Sequence, residues 1–198
     1  MTTDISYFHT GDNNALMGKV AELGYLPRDA RILDATYGEG TWWRTCDLEN
    51  LVTNDLDSPI AEHSFDFCEF PEEWQGWFDV VAYDPPYRLN GTPDPAFDTR
   101  YGTHLVTTEA QVMATIRAGL EGCAACVRPR GHLLVKCQAQ VCSGRVVWQD
   151  VLVIQWAHAL GFTLVERFDM APARPQPPGR RQVHARRGST LLIFRKGK

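Results

Sequence analysis

The strongest constraint on the fold is the junction spanning residues 78–87. Phe78-Asp79-Val80-Val81-Ala82-Tyr83 is an apolar run of strand length, and Asp84-Pro85-Pro86-Tyr87 stops it. Two consecutive prolines lack N–H donors and lock φ, so a sheet ladder does not continue through them. A carboxylate, two rigid carbonyl-bearing residues and an aromatic ring therefore stand where a buried strand becomes a loop. In open α/β sheets this carboxyl end of the strands is where ligands bind. Asp84 and the Pro85 carbonyl together offer acceptors for both hydrogens of a planar exocyclic amine, and Tyr87 offers a face on which its ring stacks. Asp-Pro-Pro also serves as a plain strand-ending turn, so the flanking sequence has to decide between the two.

That flanking sequence alternates strand and helix. Helical spacing is expected from about 13 to 24, from about 107 to 126, and from Trp148 to Leu160. Strands are expected at Arg31–Asp34, Asn50–Asp55, Ser64–Phe67, Phe78–Tyr83, His132–Cys137, Phe162–Phe168 and Thr190–Arg195, with a turn at Pro129-Arg130-Gly131. The alternation predicts an α/β fold, a parallel sheet wrapped by helices. With 198 residues, 44% of them hydrophobic, one domain covering residues 1–198 is expected. Two long segments without periodicity, 88–106 and 171–189, are rich in proline and glycine and are candidate substrate loops.

The start, Met1-Thr2-Thr3-Asp4, does not read as an export signal, and no apolar run is long enough to span a bilayer. A soluble, cytoplasmic protein is expected. Its six cysteines are expected to be thiols. Cys123 and Cys126, with Cys137 and Cys142, have only a weak zinc-like spacing and read as helix and strand filler, so no metal is expected. The formal net charge of −4 conceals an asymmetry. Residues 170–198 hold eight basic and no acidic side chains, leaving 12 basic against 24 acidic in residues 1–169. A polyanion would meet that basic segment, where Arg180, Arg181, His184, Arg186 and Arg187 cluster.

After the strand ending at Asp34 comes Ala35-Thr36-Tyr37-Gly38-Glu39-Gly40-Thr41. Its glycines allow a tight turn and close approach to a ligand, and a helix is expected to begin at about Thr41 with its N-terminus facing the same crevice. The third glycine of a dinucleotide loop is absent, which argues against a nicotinamide-dependent oxidoreductase. Asp55 closes the next strand, where a carboxylate can hold both ribose hydroxyls, with Asp57 as its competitor. Asp66-Phe67 offers an acceptor for an adenine amine and a wall for its ring.

In this order and spacing the chain resembles class I S-adenosylmethionine-dependent methyltransferases of the amino-methylating type, which make N6-methyladenine or N4-methylcytosine in DNA. It is similar to small phage-type DNA methylases in residues 84–93 and 180–194. The resemblance implies a Rossmann-like fold with a seven-stranded, mostly parallel sheet whose last strand is antiparallel. It implies S-adenosylmethionine as cofactor, with Asp34, Ala35, Thr36, Tyr37, Gly38, Gly40 and Thr41 around its methionine part. Asp55 and Leu56 would hold the ribose, and Asp66 and Phe67 the adenine. Phe8 and Thr10, in Phe8-His9-Thr10-Gly11, match the family's N-terminal cofactor segment loosely. Asp84, Pro85, Pro86 and Tyr87 match the catalytic signature, for a target base that is flipped out or already single-stranded. Lys136 and Gln138 are read as a substrate-side wall.

The implied reaction moves a methyl group to a nucleobase amine in DNA, adenine N6 ahead of cytosine N4. The chain departs from the family in leaving no room for a separate target-recognition domain. Recognition falls to the two long loops, to a homodimer or to a partner subunit. RNA or protein methylation on the same fold, and a non-catalytic cofactor- or nucleic-acid-binding subunit, are the alternatives.

Overall fold

The computed structural model describes residues 5–89, 108–172, 183–185 and 187–198. The elements are β1 (Phe8–His9), α1 (Asn13–Glu22), β2 (Arg31–Asp34), β3 (Asn50–Thr53), a 3-10 turn (Glu72–Trp74), β4 (Phe78–Tyr83), α2 (Glu109–Cys126), β5 (Val127–Cys137), β6 (Gln140–Cys142), β7 (Arg145–Val147), α3 (Gln149–Ala159), β8 (Phe162–Met170) and β9 (Thr190–Lys196). Seven strands form one sheet in the order β1-β8-β9-β5-β4-β2-β3, and β6 pairs with β7 as a separate hairpin. Strand β9 runs antiparallel to both β5 and β8, and the other pairings in the sheet are parallel. The expected architecture of a mostly parallel seven-stranded sheet with its last strand reversed is thus present.

Period-two alternation distributes β4 between two cores, which explains why Val80, Val81, Ala82 and Tyr83 are all buried. Val81 and Tyr83 join Leu33, Leu133, Val135 and Phe194 under α2 and α3. Val80 and Ala82 join Ile32, Leu134 and Ile193 under α1 and the Trp42-Trp43 pair. Helix α1 starts on the Asp12 side chain, which accepts from the Ala15 amide at 2.8 Å. Helix α2 starts on a capping box between Thr108 and Gln111.

Three expectations need correction. The segment Ser64–Phe67 is not a strand, and one isolated bridge, Asn54 to His63, is all that pairs there. The buried Asn54 side chain takes over the role of a neighbouring strand, accepting from the Phe65 amide at 2.8 Å and donating to the Phe65 carbonyl at 3.0 Å. The sheet reaches seven strands instead through β1 on the opposite edge, beside β8. Secondly, no helix follows the glycine loop. Only nine residues, 41–49, precede β3, and Trp42 and Trp43 fill that face of the sheet as turn residues. Thirdly, Pro129–Gly131 is a kink inside β5 rather than a turn before it. Arg130 has φ 63°, and the β4–β5 register shifts between Phe78 and Val80.

Glycine sets the distance between α2 and the end of β4. A Cβ on Gly119 would overlap the Tyr83 hydroxyl and meet Phe67. Tyr83 and Phe67 pack edge to face at 5.4 Å between centroids. Gly119→Ala is therefore expected to destabilise the protein by about 1–3 kcal/mol through overpacking. Urea unfolding checks this. Adding Tyr83→Phe, which removes one overlapping atom, is expected to recover part of the loss.

Candidate functional site

The carboxyl ends of β2, β3, β4 and β5 converge on one edge of the sheet. At the end of β2, Asp34 is only 4% exposed. Its Oδ1 accepts from the Thr36 amide at 3.0 Å and its Oδ2 from the Trp43 indole Nε1 at 2.6 Å. Burial pushes its carboxyl up to about 7; the two hydrogen bonds oppose that rise, and the charges of Asp84 and Asp55 add to it. Asp34 thus acts from beneath the glycine loop, tying its start to the tryptophan that replaces a helix. Gly38 and Gly40 have φ of 55° and 65°, in the left-handed region that favours glycine. A Cβ on Gly40 would strike the Tyr37 ring, whereas one on Gly38 would meet nothing within 4 Å. The loop therefore borders open space at Gly38.

Asp55 follows β3 and holds the loop from the other side. Its Oδ2 accepts from the Gly38 amide at 2.8 Å, and its Oδ1 accepts from the Asp57 and Ser58 amides at 3.0 and 2.9 Å. Ser58 closes the ring by donating from Oγ to the Gly38 carbonyl at 2.6 Å. Leu56 is 59% exposed beside it. The sequence gives no sign of Ser58, whose position depends on the turn after Asp55.

The tetrapeptide after β4 is wired to this loop. The Asp84 amide donates to Thr36 Oγ1 at 2.8 Å, so Thr36 joins Asp34 to Asp84. Lys136, at the end of β5, has a side chain 8% exposed, and its Nζ lies 3.3 Å from Asp84 Oδ2. The Nζ also sits 5.9 Å from the ring centroids of both Trp42 and Tyr87. Asp84 Oδ1 is buried and has no hydrogen-bond partner among the described residues. Leaving such an oxygen unmatched is costly, which makes it a place where a donor from a ligand would be favoured. Pro85 is buried, and Tyr87 is partly buried against the core under α2 and α3.

Three glutamines support the chain just beyond. Gln140 and Gln149 both donate to the Tyr87 carbonyl, at 2.9 and 2.8 Å, and Gln140 Oε1 accepts from the Leu89 amide at 3.1 Å. Gln138 donates from Nε2 to the Arg187 carbonyl at 2.9 Å. The Arg187 guanidinium lies 4.5 Å from the ring centroid of the exposed Trp148. His184 Nε2 meets the Gly144 carbonyl in the β6–β7 turn at 3.0 Å. Gln149 and Trp148 carried no motif in the sequence; their adjacency at the start of α3 gives one a buried and the other an exposed place.

The remaining expected residues are placed less uniformly. Asp66 is exposed and accepts from the Cys68 amide at 2.8 Å, while Phe67 packs toward Tyr83 and α2. Phe8 and Thr10 are exposed at the far edge of the sheet, with β8, β9 and β5 between β1 and β4. Asn14, at the start of α1, accepts from the Thr45 amide at 2.9 Å, in the segment between the tryptophans and β3. Thr41 is half-buried before the tryptophans. Arg180, Arg181 and Arg186 lie outside the described residues. All six cysteines are thiols; Cys123, Cys126, Cys137 and Cys142 are buried, and burial pushes the Cys126 thiol up to about 12. No helix among the described residues is long and apolar enough to cross a membrane.

No protein-family model and no curated protein sequence matches the chain. Solved structures do. A putative methyltransferase from Bacillus halodurans C-125 is 13% identical, with 93% of this chain and 100% of that one covered and a TM-score of 0.59. The N-methyltransferase NodS from Bradyrhizobium japonicum WM9, in complex with S-adenosyl-L-homocysteine, is 15% identical, with coverage of 93% and 87% and a TM-score of 0.53. The [4+2]-cyclase SpnF is 13% identical, with coverage of 96% and 86% and a TM-score of 0.58. One fold thus carries more than one reaction, and the reaction has to be argued from the site. What the likeness establishes is the architecture: the chain has the Rossmann-like fold of class I methyltransferases.

Proposed function

We propose that this protein transfers a methyl group from S-adenosylmethionine to an exocyclic amino group of a nucleobase in DNA, adenine N6 ahead of cytosine N4. The observation that carries the reading is Asp84. Its Oδ2 is held by Lys136, its backbone is held by Thr36, and its buried Oδ1 has no partner among the described residues. An amine N–H directed at Oδ1 supplies the missing hydrogen bond. The Pro85 carbonyl accepts the second hydrogen, and the Tyr87 ring offers the stacking face. With both hydrogens engaged, the nitrogen is oriented toward the crevice beside the glycine loop. Such positioning supplies much of the rate when two reactants meet in one site. Asp84 also stabilises positive charge developing on that nitrogen.

The residues present fit the cofactor. The loop borders open space at Gly38, and a carboxylate at the end of β3 suits ribose hydroxyls. Bound there, S-adenosylmethionine supplies a methyl group already activated on a sulfonium. Asp55 would hold the ribose while keeping Gly38 in place. Asp55→Ala is expected to weaken binding of S-adenosyl-L-homocysteine by about 1.5–3 kcal/mol, since it removes a charged acceptor and loosens the loop together. Calorimetry measures this; affinity equal to wild type would take the ribose role away from Asp55.

Nucleic acid is favoured as partner by Arg187 and Trp148, where a guanidinium lies over an exposed indole, and by the arginines of the same basic segment. The test is incubation of the purified protein with labelled S-adenosylmethionine and, side by side, DNA, RNA and a protein extract, with nucleoside mass spectrometry of the products. N6-methyladenine or N4-methylcytosine in DNA is the expected product. Label confined to RNA or to protein would overturn the DNA assignment, and absence of both label and cofactor binding would overturn the whole reading.

A further inference from the structure

Three hydrogen bonds from two glutamines hold the chain at Tyr87 and Leu89, at the end of the catalytic segment. The Tyr87 carbonyl has two lone pairs, and each is matched to an amide donor, one from Gln140 and one from Gln149. Gln140 spans the segment, because its Oε1 takes the Leu89 amide while its Nε2 serves Tyr87. Gln149 is fully buried, so its amide has no exchange with water to fall back on. Its Oε1 accepts from the Gln138 amide at 3.4 Å, and the Gln138 side chain donates to the Arg187 carbonyl. Buried, doubly engaged amides fix a single geometry, since any other orientation leaves a polar group unmatched.

We infer that Gln138, Gln140 and Gln149 form an amide clamp that positions Tyr87 and ties it to the arginine-bearing segment, so that nucleic-acid contact at Arg187 and capture of the base at Tyr87 act together. The inference rests on the nucleic-acid reading above. The three glutamines are positioning residues: among the described residues their hydrogen bonds go to the chain at Tyr87, Leu89, Gln138 and Arg187 and not to Asp84 or the glycine loop. Gln149 and Gln140 set where the ring of Tyr87 stands. Gln138 passes the position of Arg187 on to Gln149.

The test compares Gln149→Met, Gln149→Glu and Gln140→Met with wild type. Methionine keeps the volume and removes both hydrogen bonds. Glutamate keeps the volume and turns a donor to the Tyr87 carbonyl into an acceptor. If the clamp positions the ring, both Gln149 variants lose kcat on DNA by roughly 10²-fold, as expected for a displaced reacting group, with S-adenosyl-L-homocysteine affinity unchanged. Adding Gln149→Met to Tyr87→Ala then costs little more, because there is no ring left to position. A merely structural role predicts instead that the two substitutions add.

Hydrogen exchange at the Leu89 amide, measured on the full chain, provides a readout that does not need the reaction. It is expected to accelerate at least tenfold, roughly the loss of one hydrogen bond, in Gln140→Met. Unchanged Leu89 exchange in Gln140→Met, or wild-type kcat in Gln149→Met, would overturn the clamp. Accelerated exchange in a protein that methylates no nucleic acid would keep the clamp and overturn the reading of the reaction.

Discussion

Asp84→Ala is expected to abolish methyl transfer while leaving cofactor affinity largely intact. Two effects combine. The variant loses the acceptor aimed at the amine, and removing one preorganised polar group from such a site costs about 10²–10³ in kcat. It also leaves the Lys136 ammonium, with a side chain 8% exposed, without its acidic partner. Breaking a buried pair from one side destabilises by about 3–5 kcal/mol in the general case, so loss of folding has to be separated from loss of chemistry. Asp84→Asn makes that separation. It keeps the shape and an acceptor for Lys136, so it is expected to remain folded by circular dichroism and still to lose most of kcat. Adding Lys136→Met to Asp84→Ala removes the stranded charge and is expected to restore stability without restoring activity. Near-normal turnover by Asp84→Ala in a radiolabelled transfer assay would show that the proposed geometry is wrong.

Asp34 gives the second large effect, on stability and its pH dependence. Its carboxyl is raised by burial from the ordinary 3.8 to about 7. The folded protein therefore keeps this proton over a pH range in which the unfolded chain has released it. Between about pH 4 and pH 7 the folded state binds more protons, so the contribution of Asp34 to stability falls as pH rises through that window and is level above it. At about 1.4 kcal/mol per pH unit, a shift of this size amounts to about 4 kcal/mol. Asp34→Asn removes the titration while keeping a polar group against Trp43 and Thr36. The stability of wild type relative to this variant is expected to be higher at pH 5 than at pH 8 by a few kcal/mol, since other titrating groups cancel in the difference. Urea unfolding at the two pH values measures it. A difference that does not change with pH would mean that Asp34 ionises in the folded protein much as it does in water.

Local pattern was enough to read the elements that carry the site. The apolar run before Asp84 and its two prolines mark the end of β4, because a strand buried on both faces has a composition of its own and proline ends a ladder wherever it stands. The left-handed turn at Gly38 and Gly40 was legible for a similar reason: few residues other than glycine adopt it. Helices α1, α2 and α3 followed from spacing and stop residues that act within a turn or two.

The structure departs from local pattern where a side chain nine to eleven residues away replaces a local element. Ser64–Phe67 has the alternation of a strand, but its partner is the Asn54 side chain. Thr41 follows a loop that commonly opens a helix, but Trp43 is drawn to Asp34 and Trp42 into the core. The same holds for the chemistry. That Asp34, Asp55 and Asp84 stand at or just after strand ends is legible in the sequence. That Lys136 meets Asp84 across 52 residues, that Gln149 meets Tyr87 across 62, and that burial raises the Asp34 carboxyl were decided by the packed sheet alone. Hydrogen-bond partners and desolvation depend on what surrounds a group in space. Strand ends, turns and caps depend on neighbours along the chain, and only these are written in local sequence.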